Sequence, residues 1–593
     1  MKAGPLGRPA MIGLSILGGI VAGLGAVLFR DLIGLLHNIF FLGKLSSSYD
    51  ANTHTAAGPW GPFIILAPGV GAAGVTVLVT LFAPEAKGHG VPEVMDSVHY
   101  GKGIIRPIVA VIKAVASALC IGSGGSVGRE GPIVQIGSAF GSMIGQFLPM
   151  TQKQRITLLA AGAAGGIAAT FNTPIGGILF AVELILNEVS TATLVPVAIC
   201  TITATYVGRL FFGIHPSFVI PSLTGPYSSL ESPEVLVSYV ALGILMGGAS
   251  ALCVRTLYLV EDLFAARSFK NPYLRHTSAM VLVGVMFYLL MRYSGHYYIE
   301  GVGYSTIQDI LTGSLPGLPL LALLFVLKLS ATSITLGSGG SGGVFSPSLF
   351  LGATAGGIYG TILRMVFPAL GIRPEAFAVA GMAGMVGGTT GAALTAIVMI
   401  FEMTLDYSAI VPIAITVAFS YGVRKALLRE SIYTMKLTRR GHIMPDAFRV
   451  GFLSLRKAGQ VMTRKIVSVP ASASLARLRR TAAAHPEAQW ILVTERGFVV
   501  GVDSRNDIPM GTSEEKYKRG FATRIMRSYS VGIEEETVFD VAARMRSEGT
   551  FVTLVSGTKH SSLKAADVLG VLGREHMGDV VDEYVDFYSG RQE

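Results

Sequence analysis

A glycine-rich loop that occurs twice constrains this chain more than any other feature. Gly122-Ser-Gly-Gly-Ser-Val-Gly-Arg-Glu-Gly-Pro132 lies between two apolar runs, Ile108–Ile121 and Ile133–Leu148. It returns 215 positions later as Gly337-Ser-Gly-Gly-Ser-Gly-Gly-Val-Phe-Ser-Pro347, with Gly122, Ser123, Gly124, Gly125, Ser126, Gly128 and Pro132 all matched. A second block, Ala161, Gly162, Gly165, Thr170, Ile178 and Glu183, returns 219 positions later as Ala380, Gly381, Gly384, Thr389, Ile397 and Glu402. Apolar segments broken by glycine at corresponding places in two halves predict a repeat-built transporter fold, with its binding site where the breaks meet.

The loop also suggests what would bind. Glycine lets an object come close to backbone N–H groups, and Pro132 predicts a helix starting beside it. A helix start carries unpaired N–H groups and the positive end of the helix dipole, so it attracts anions. Arg129 and Glu130 lie inside this loop, and ionisable side chains at membrane depth are functional candidates. A phosphate-cradling enzyme loop does not fit, because neither copy ends in Gly-Lys-Ser/Thr or sits in a strand context. The chain therefore reads as a transporter and not an enzyme.

Composition places the protein in a bilayer. Hydrophobic residues make up 51% and charged residues 14%, against roughly 25% charged in soluble domains. The mean hydropathy is +0.57. The 73 glycines suit close helix packing in membranes. A net charge of +10 would suggest nucleic acid in a soluble protein; here it belongs to cytoplasmic loops and the tail. Cys120, Cys200 and Cys253 fall in or beside apolar runs, with neither a disulfide framework nor zinc-ligand spacing. No metal or required cofactor is implied.

Lys2 and Arg8 precede the first apolar run, Met11–Leu36, and predict a cytoplasmic N-terminus. That run is too long for a signal-peptide core and reads as retained. Ser46–Pro62 reads as an external loop, 213–233 as a loop between the halves, and Arg267–Arg275 as a basic cytoplasmic loop. Arg424, Lys425, Arg429, Lys436, Arg439 and Arg440 follow the last run and place the C-terminus in the cytoplasm of a multi-pass cell-membrane protein. Segments shorter than the roughly 20 residues of a full span, such as Ile156–Phe171 and Ile175–Leu186, predict tilted, broken helices. The fold class is thus an all-α polytopic membrane protein of two inverted repeats at residues 1–440, followed by an α/β tail at 446–593.

Gly128-Arg-Glu-Gly-Pro132 resembles the signature of the CLC family of chloride channels and chloride/proton antiporters. Gly88-His89-Gly90-Val91-Pro92 resembles the first filter motif, Gly343-Val344-Phe345-Ser346-Pro347 the third, and Tyr433 the tyrosine that closes the inner side of the pathway. The resemblance implies that helix starts after Gly90, Gly128 and Gly343 meet near the membrane middle. Val344 and Phe345 would donate N–H groups, and Tyr433 its hydroxyl, to a central anion. Glu130 would be the gate, an anion in an anion site released by protonation. Arg129, Gly131 and Pro132 complete the loop, with Arg129 shaping the local potential more than touching the ion. A homodimer with one pathway per subunit is also implied. The transported ion would be chloride or a similar small anion, joined by protons in the antiporter alternative.

Two residues depart from the family pattern. His89 stands where relatives carry serine; it is expected either to contact the anion at the central or inner site or to swing away onto a loop carbonyl. Leu184 stands where proton-coupled relatives commonly carry an inner glutamate, and leucine cannot relay a proton. The primary expectation is therefore passive chloride conduction, with chloride/proton antiport as the alternative. Glu183, matched by Glu402, is expected to cap or bridge helices. The tail resembles a pair of CBS domains, at about 457–510 and 521–585. Ser504 and Asp507 keep the Ser/Thr-x-x-Asp pattern of an adenine-nucleotide site, whereas the second copy has Gly573 and His576 there.

Overall fold

The computed structural model describes all residues except 1–5, 187–189, 215, 221–232, 267–270, 315–316, 443–455, 509–521, 558–562, 574 and 577–593. Most of the expected loop at 213–233 and part of that at 267–275 lie outside the described residues, as do the start and end of the tail. The chain divides into two compact units, Met1–Met444 and Pro445–Glu593.

The first unit is helical. Its first half runs α1 (Arg8–His37), α2 (Ala67–Leu81), α3 (Val91–His99), α4 (Ile108–Gly122), α5 (Glu130–Phe147), α6 (Gln152–Phe171), α7 (Pro174–Phe180) and α8 (Thr191–Phe212). The second half repeats the order with α9 (Pro233–Ala265), α10 (Pro272–Ser294), α11 (Tyr304–Leu311), α12 (Leu318–Ser338), α13 (Phe345–Val366), α14 (Pro374–Thr390), α15 (Ala393–Thr404) and α16 (Ile410–Leu427); α17 (Thr434–Arg439) follows. Among the described residues, eight helices are long and apolar enough to cross a membrane. Packing repeats as well: α1 lies against α4, α6 and α8 as α9 lies against α12, α14 and α16. The axis relating the halves passes between Gly128 and Gly343, which form an antiparallel bridge.

Local chemistry sets the breaks. Thr151 caps α6 in a capping box with Gln154. Asn172, at φ +61°, ends α6 in the left-handed region, and Gly391, at φ +78°, ends α14 at the matching place. A short polar Asn tolerates that conformation where most residues do not. Arg275 is not in a loop as expected: α10 begins at Pro272, and the Arg275 Nε–H donates to the Ser338 carbonyl at 3.0 Å. A basic side chain with a buried carbonyl to meet can sit inside a helix end. Helix α5 begins at Glu130, two residues before Pro132.

Small residues let the helices cross closely. A Cβ built on Gly137 would lie 2.1 Å from the Gly162 carbonyl oxygen, and the reverse distance is also 2.1 Å. The matching pair, Gly352 and Gly381, gives 2.3 and 2.4 Å. Helices α5 and α6, and α13 and α14, are thus in backbone contact, as small residues allow in membranes.

The second unit contains two strand–helix–strand–strand motifs. Strand β1 (Ile466–Pro470) pairs in parallel with β2 (Trp490–Glu495), which pairs antiparallel with β3 (Phe498–Ser504). Strands β4 (Ser530–Ile533), β5 (Val552–Ser556) and β6 (Val568–Gly573) repeat that topology. Ser474 and Thr537 cap the intervening helices, Leu475–Ala484 and Val538–Ser547. Such side-chain caps are worth about 1 kcal/mol each.

Gly162→Val should force α5 from α6 and destabilise the protein by about 1–3 kcal/mol, whereas Gly248→Ala, with nothing within 4 Å of the new carbon, should be neutral. Thermal unfolding of both variants in detergent checks the pair.

Candidate functional site

Four helix starts gather around the Gly128–Gly343 crossing. The Gly128 N–H donates to the Gly343 carbonyl at 2.8 Å and the Gly343 N–H to the Gly128 carbonyl at 2.6 Å. This reciprocal pair brings the starts of α5 and α13 together. The Gly88 loop joins them: its N–H donates to the Gly340 carbonyl at 3.0 Å, and its carbonyl accepts from Gly342 at 3.3 Å. Gly88 and Gly90 have φ of +78° and +86°, which favours glycine at both. The loops touch so closely that a Cβ at Gly131 would lie 2.0 Å from the His89 carbonyl oxygen. Val91 and Pro92 then open α3.

The fourth start, α11, was missed by the sequence reading. Gly301-Val302-Gly303 precedes it as Gly88-His89-Gly90 precedes α3, and this short glycine spacing was the one signal available. Two buried lysines that the sequence reading also passed over hold the two loops. The Lys113 ammonium donates to the carbonyls of Ala86 (2.9 Å) and Gly88 (2.7 Å). Lys328, 215 positions on, donates to those of Ile299 (3.1 Å) and Gly301 (2.9 Å). Two serines cross between halves: Ser341 donates to Ala86 at 2.7 Å, and Ser126 to Ile299 at 2.8 Å. Turns rich in glycine, which would otherwise cost conformational entropy, are thereby held at each helix start.

Glu130 is 2% exposed and reaches from the start of α5 to the start of α13. Its Oε2 accepts the Ser346 backbone N–H at 3.3 Å. Its Oε1 accepts the Tyr304 hydroxyl at 2.6 Å and also the Ser346 hydroxyl. Among the described residues no ion pair joins Glu130 to Arg129. The Arg129 guanidinium instead lies over the rings of Tyr304 (5.3 Å) and Phe171 (6.0 Å). It faces a cavity of about 270 Å³ lined also by Arg30, Asp50, Asn172, Arg209 and Tyr304.

Glu130 itself borders a closed cleft with no room for a water molecule, lined by Val91, Gly131, Phe171, Phe345, Met399 and Tyr433 among others. Tyr433 is buried there at the start of α17. Residues from both ends of the sequence, Val91, Glu130, Phe345 and Tyr433, thus face one space. His89 is not among the residues lining it. Its ring is buried edge-on to Tyr258 at 6.3 Å, and its Nδ1 has no hydrogen-bond partner among the described residues.

The repeated glutamates are helix caps. Glu183 accepts the N–H groups of Leu394 (3.2 Å) and Thr395 (2.9 Å) at the start of α15. Glu402 accepts those of Ile175 (3.1 Å) and Gly176 (2.7 Å) at the start of α7. Leu184, beside Glu183, is buried in apolar packing. In the tail, the Ser504 hydroxyl accepts the Asn506 N–H at 3.3 Å; the Asp507 side chain lies outside the described residues.

A repeat-built helical membrane domain with helix starts and a buried carboxylate facing one space defines a class, the anion-pathway membrane proteins. Residues 71–425 match the family model described as voltage gated chloride channel, and the chain belongs to that family, the CLC family. It is 31% identical over 434 residues to a putative chloride channel protein ClcB-like of Ralstonia nicotianae, covering 72% of this chain and 97% of that protein. It is 35% identical over 365 residues to the H(+)/Cl(-) exchange transporter ClcA of Vibrio cholerae, covering 61% and 76%. A crystal structure of a slow cyanobacterial Cl-/H+ antiporter superposes with a TM-score of 0.62 at 26% identity, covering 73% of this chain and 99% of that one. A eukaryotic CLC transporter gives a TM-score of 0.59 at 20% identity over 95% of this chain and 97% of that one, a likeness of fold.

Glu183→Gln and Glu402→Gln should each weaken a charge-assisted helix cap. Similar losses of about 1–2 kcal/mol are expected because the two sites are related by the repeat, and thermal unfolding of each variant tests that equality.

Proposed function

We propose that the protein exchanges chloride for protons across the membrane through the space between Glu130 and Tyr433. The observation that carries this is the carboxylate of Glu130 on the Ser346 N–H at the start of α13. A carboxylate oxygen there stands in for an anion. Glu130 is thus both a competitor for an anion position and a group that can take up a proton, which links the two ions at one place. Partial charges at helix starts, each worth about 0.3–2 kcal/mol, attract an anion without holding it as a fixed lysine would. This meets the need of a pathway for sites weak enough to leave. Lys113 and Lys328, buried behind the loops, are already bonded to carbonyls and leave the positions to backbone N–H groups.

Relatives named as exchange transporters shift the balance from passive conduction, the primary expectation, toward its alternative. Leu184 keeps the second reading in play, since the residue beside Glu183 cannot titrate and Glu183 itself is bonded to α15. Exchange would then need another inner route, such as water. The charge pattern supports cytoplasmic termini, and the family likeness supports a homodimer. The tail's two strand–helix–strand–strand motifs support a CBS-type pair, with adenine nucleotide binding near Ser504 and Asp507 as its proposed role; ATP should then raise the melting temperature of the full-length protein.

Purified protein in liposomes under a chloride gradient, with and without a pH gradient, decides between the readings. A reversal potential that shifts with the pH gradient supports exchange, and Glu130→Gln should abolish the shift while chloride flux continues. A potential that stays at the chloride equilibrium value under every pH gradient establishes passive conduction.

A further inference from the structure

We propose that Tyr304 and Ser346 form a hydroxyl latch that holds the Glu130 gate in the anion position, and so set how much acid opens the pathway. The proposal rests on the reading of Glu130 as the gate. Three oxygens meet in one buried cluster. The Tyr304 hydroxyl donates to Glu130 Oε1 at 2.6 Å, the Ser346 hydroxyl reaches the same oxygen, and the two hydroxyls are 2.8 Å apart. The Ser346 backbone N–H holds Oε2. Glu130 and Tyr304 are each 2% exposed and Ser346 is 0% exposed, so water does not compete for these bonds.

The latch is built into the fold. Tyr304 is the first residue of α11, the position that Val91 occupies in α3. Valine has no hydroxyl, so this half alone supplies a side-chain donor at that place. Lys328 fixes the preceding turn through Ile299 and Gly301. Gly303, at φ +78°, lets the turn pack against Phe350, which a Cβ there would approach to 2.8 Å. The Tyr304 ring packs edge-on against Phe218 at 5.3 Å and beneath Arg129. Its hydroxyl position is therefore determined by packing from several sides.

The charged groups around Glu130 are Arg129 beside it in sequence and Lys328 from α12; Arg30 and Asp50 line the wider cavity that Arg129 and Tyr304 face. The titratable hydroxyls are Tyr304 and, from the closed cleft, Tyr433. None of the four charged groups makes a hydrogen bond or ion pair to the Glu130 carboxylate among the described residues. The direct donors to it are the two hydroxyls and one N–H. Hydrogen bonds to a charged group are worth more than those to a neutral one. The latch is thus strongest on the carboxylate and weakens when Glu130 is protonated, which makes it a hold that acid releases.

Chloride flux from liposomes, with the same pH on both sides and varied in steps, tests the latch. Tyr304→Phe keeps the ring and removes one donor; Ser346→Ala removes the other. Each should move the pH of half-maximal flux upward by about one to two units. Ser346→Thr keeps a hydroxyl and should restore the wild-type profile. Glu130→Gln should give flux that ignores pH, and adding Tyr304→Phe to it should change nothing further. If Tyr304→Phe and Ser346→Ala both keep the wild-type midpoint while Glu130→Gln is insensitive to pH, the gate stands and the latch is wrong. If Glu130→Gln retains the wild-type pH profile, the gate reading fails and the latch falls with it.

Discussion

Two hydrogen bonds between Gly128 and Gly343 tie the two halves of the membrane domain together at their axis. Both partners are glycines, so the backbones can meet directly. Once they do, the starts of α5 and α13 must face the same region, because each helix begins two residues later. Everything functional in the domain depends on this crossing. Without it, two sets of unpaired N–H groups would point into separate parts of the bilayer, where each would be costly.

The remaining polar groups of the domain serve the same arrangement. Lys113 and Lys328 satisfy carbonyls freed where the chain turns into a helix. Ser126 and Ser341 do the same across the axis. Glu183 and Glu402 cover the starts of α15 and α7 in exchange, so these two helix starts are closed by carboxylates of the protein itself. The starts of α5 and α13 are treated differently. The carboxylate placed there, Glu130, opens α5 itself and is held by the hydroxyls of Tyr304 and Ser346 and the Ser346 N–H.

Symmetry and its breaking divide structure from function. The glycine pairs, the lysines, the serines and the capping glutamates obey the repeat. Glu130 corresponds to Phe345, Arg129 to Val344 and Tyr304 to Val91. The scaffold is duplicated, whereas the residues around the Glu130 carboxylate are not.

The repeat, the membrane class and the positions of the broken helices are legible in the residues alone, because glycine spacing and apolar run length are local properties of a chain. Through four short motifs the sequence also points to Glu130, Val344, Phe345 and Tyr433. That Tyr304 and Ser346 hold Glu130, that Lys113 and Lys328 are bonded to carbonyls, and that His89 packs on Tyr258 emerges from the packed fold. Those partners are 174 and 216 positions apart for Glu130, and no local pattern records such a distance. A tyrosine in an apolar stretch reads as packing until the fold places a carboxylate beside its hydroxyl. The start of α11 is hidden in the sequence for the same reason: eight residues at Tyr304–Leu311 are too few to mark a membrane helix, and the turn before them is held by Lys328.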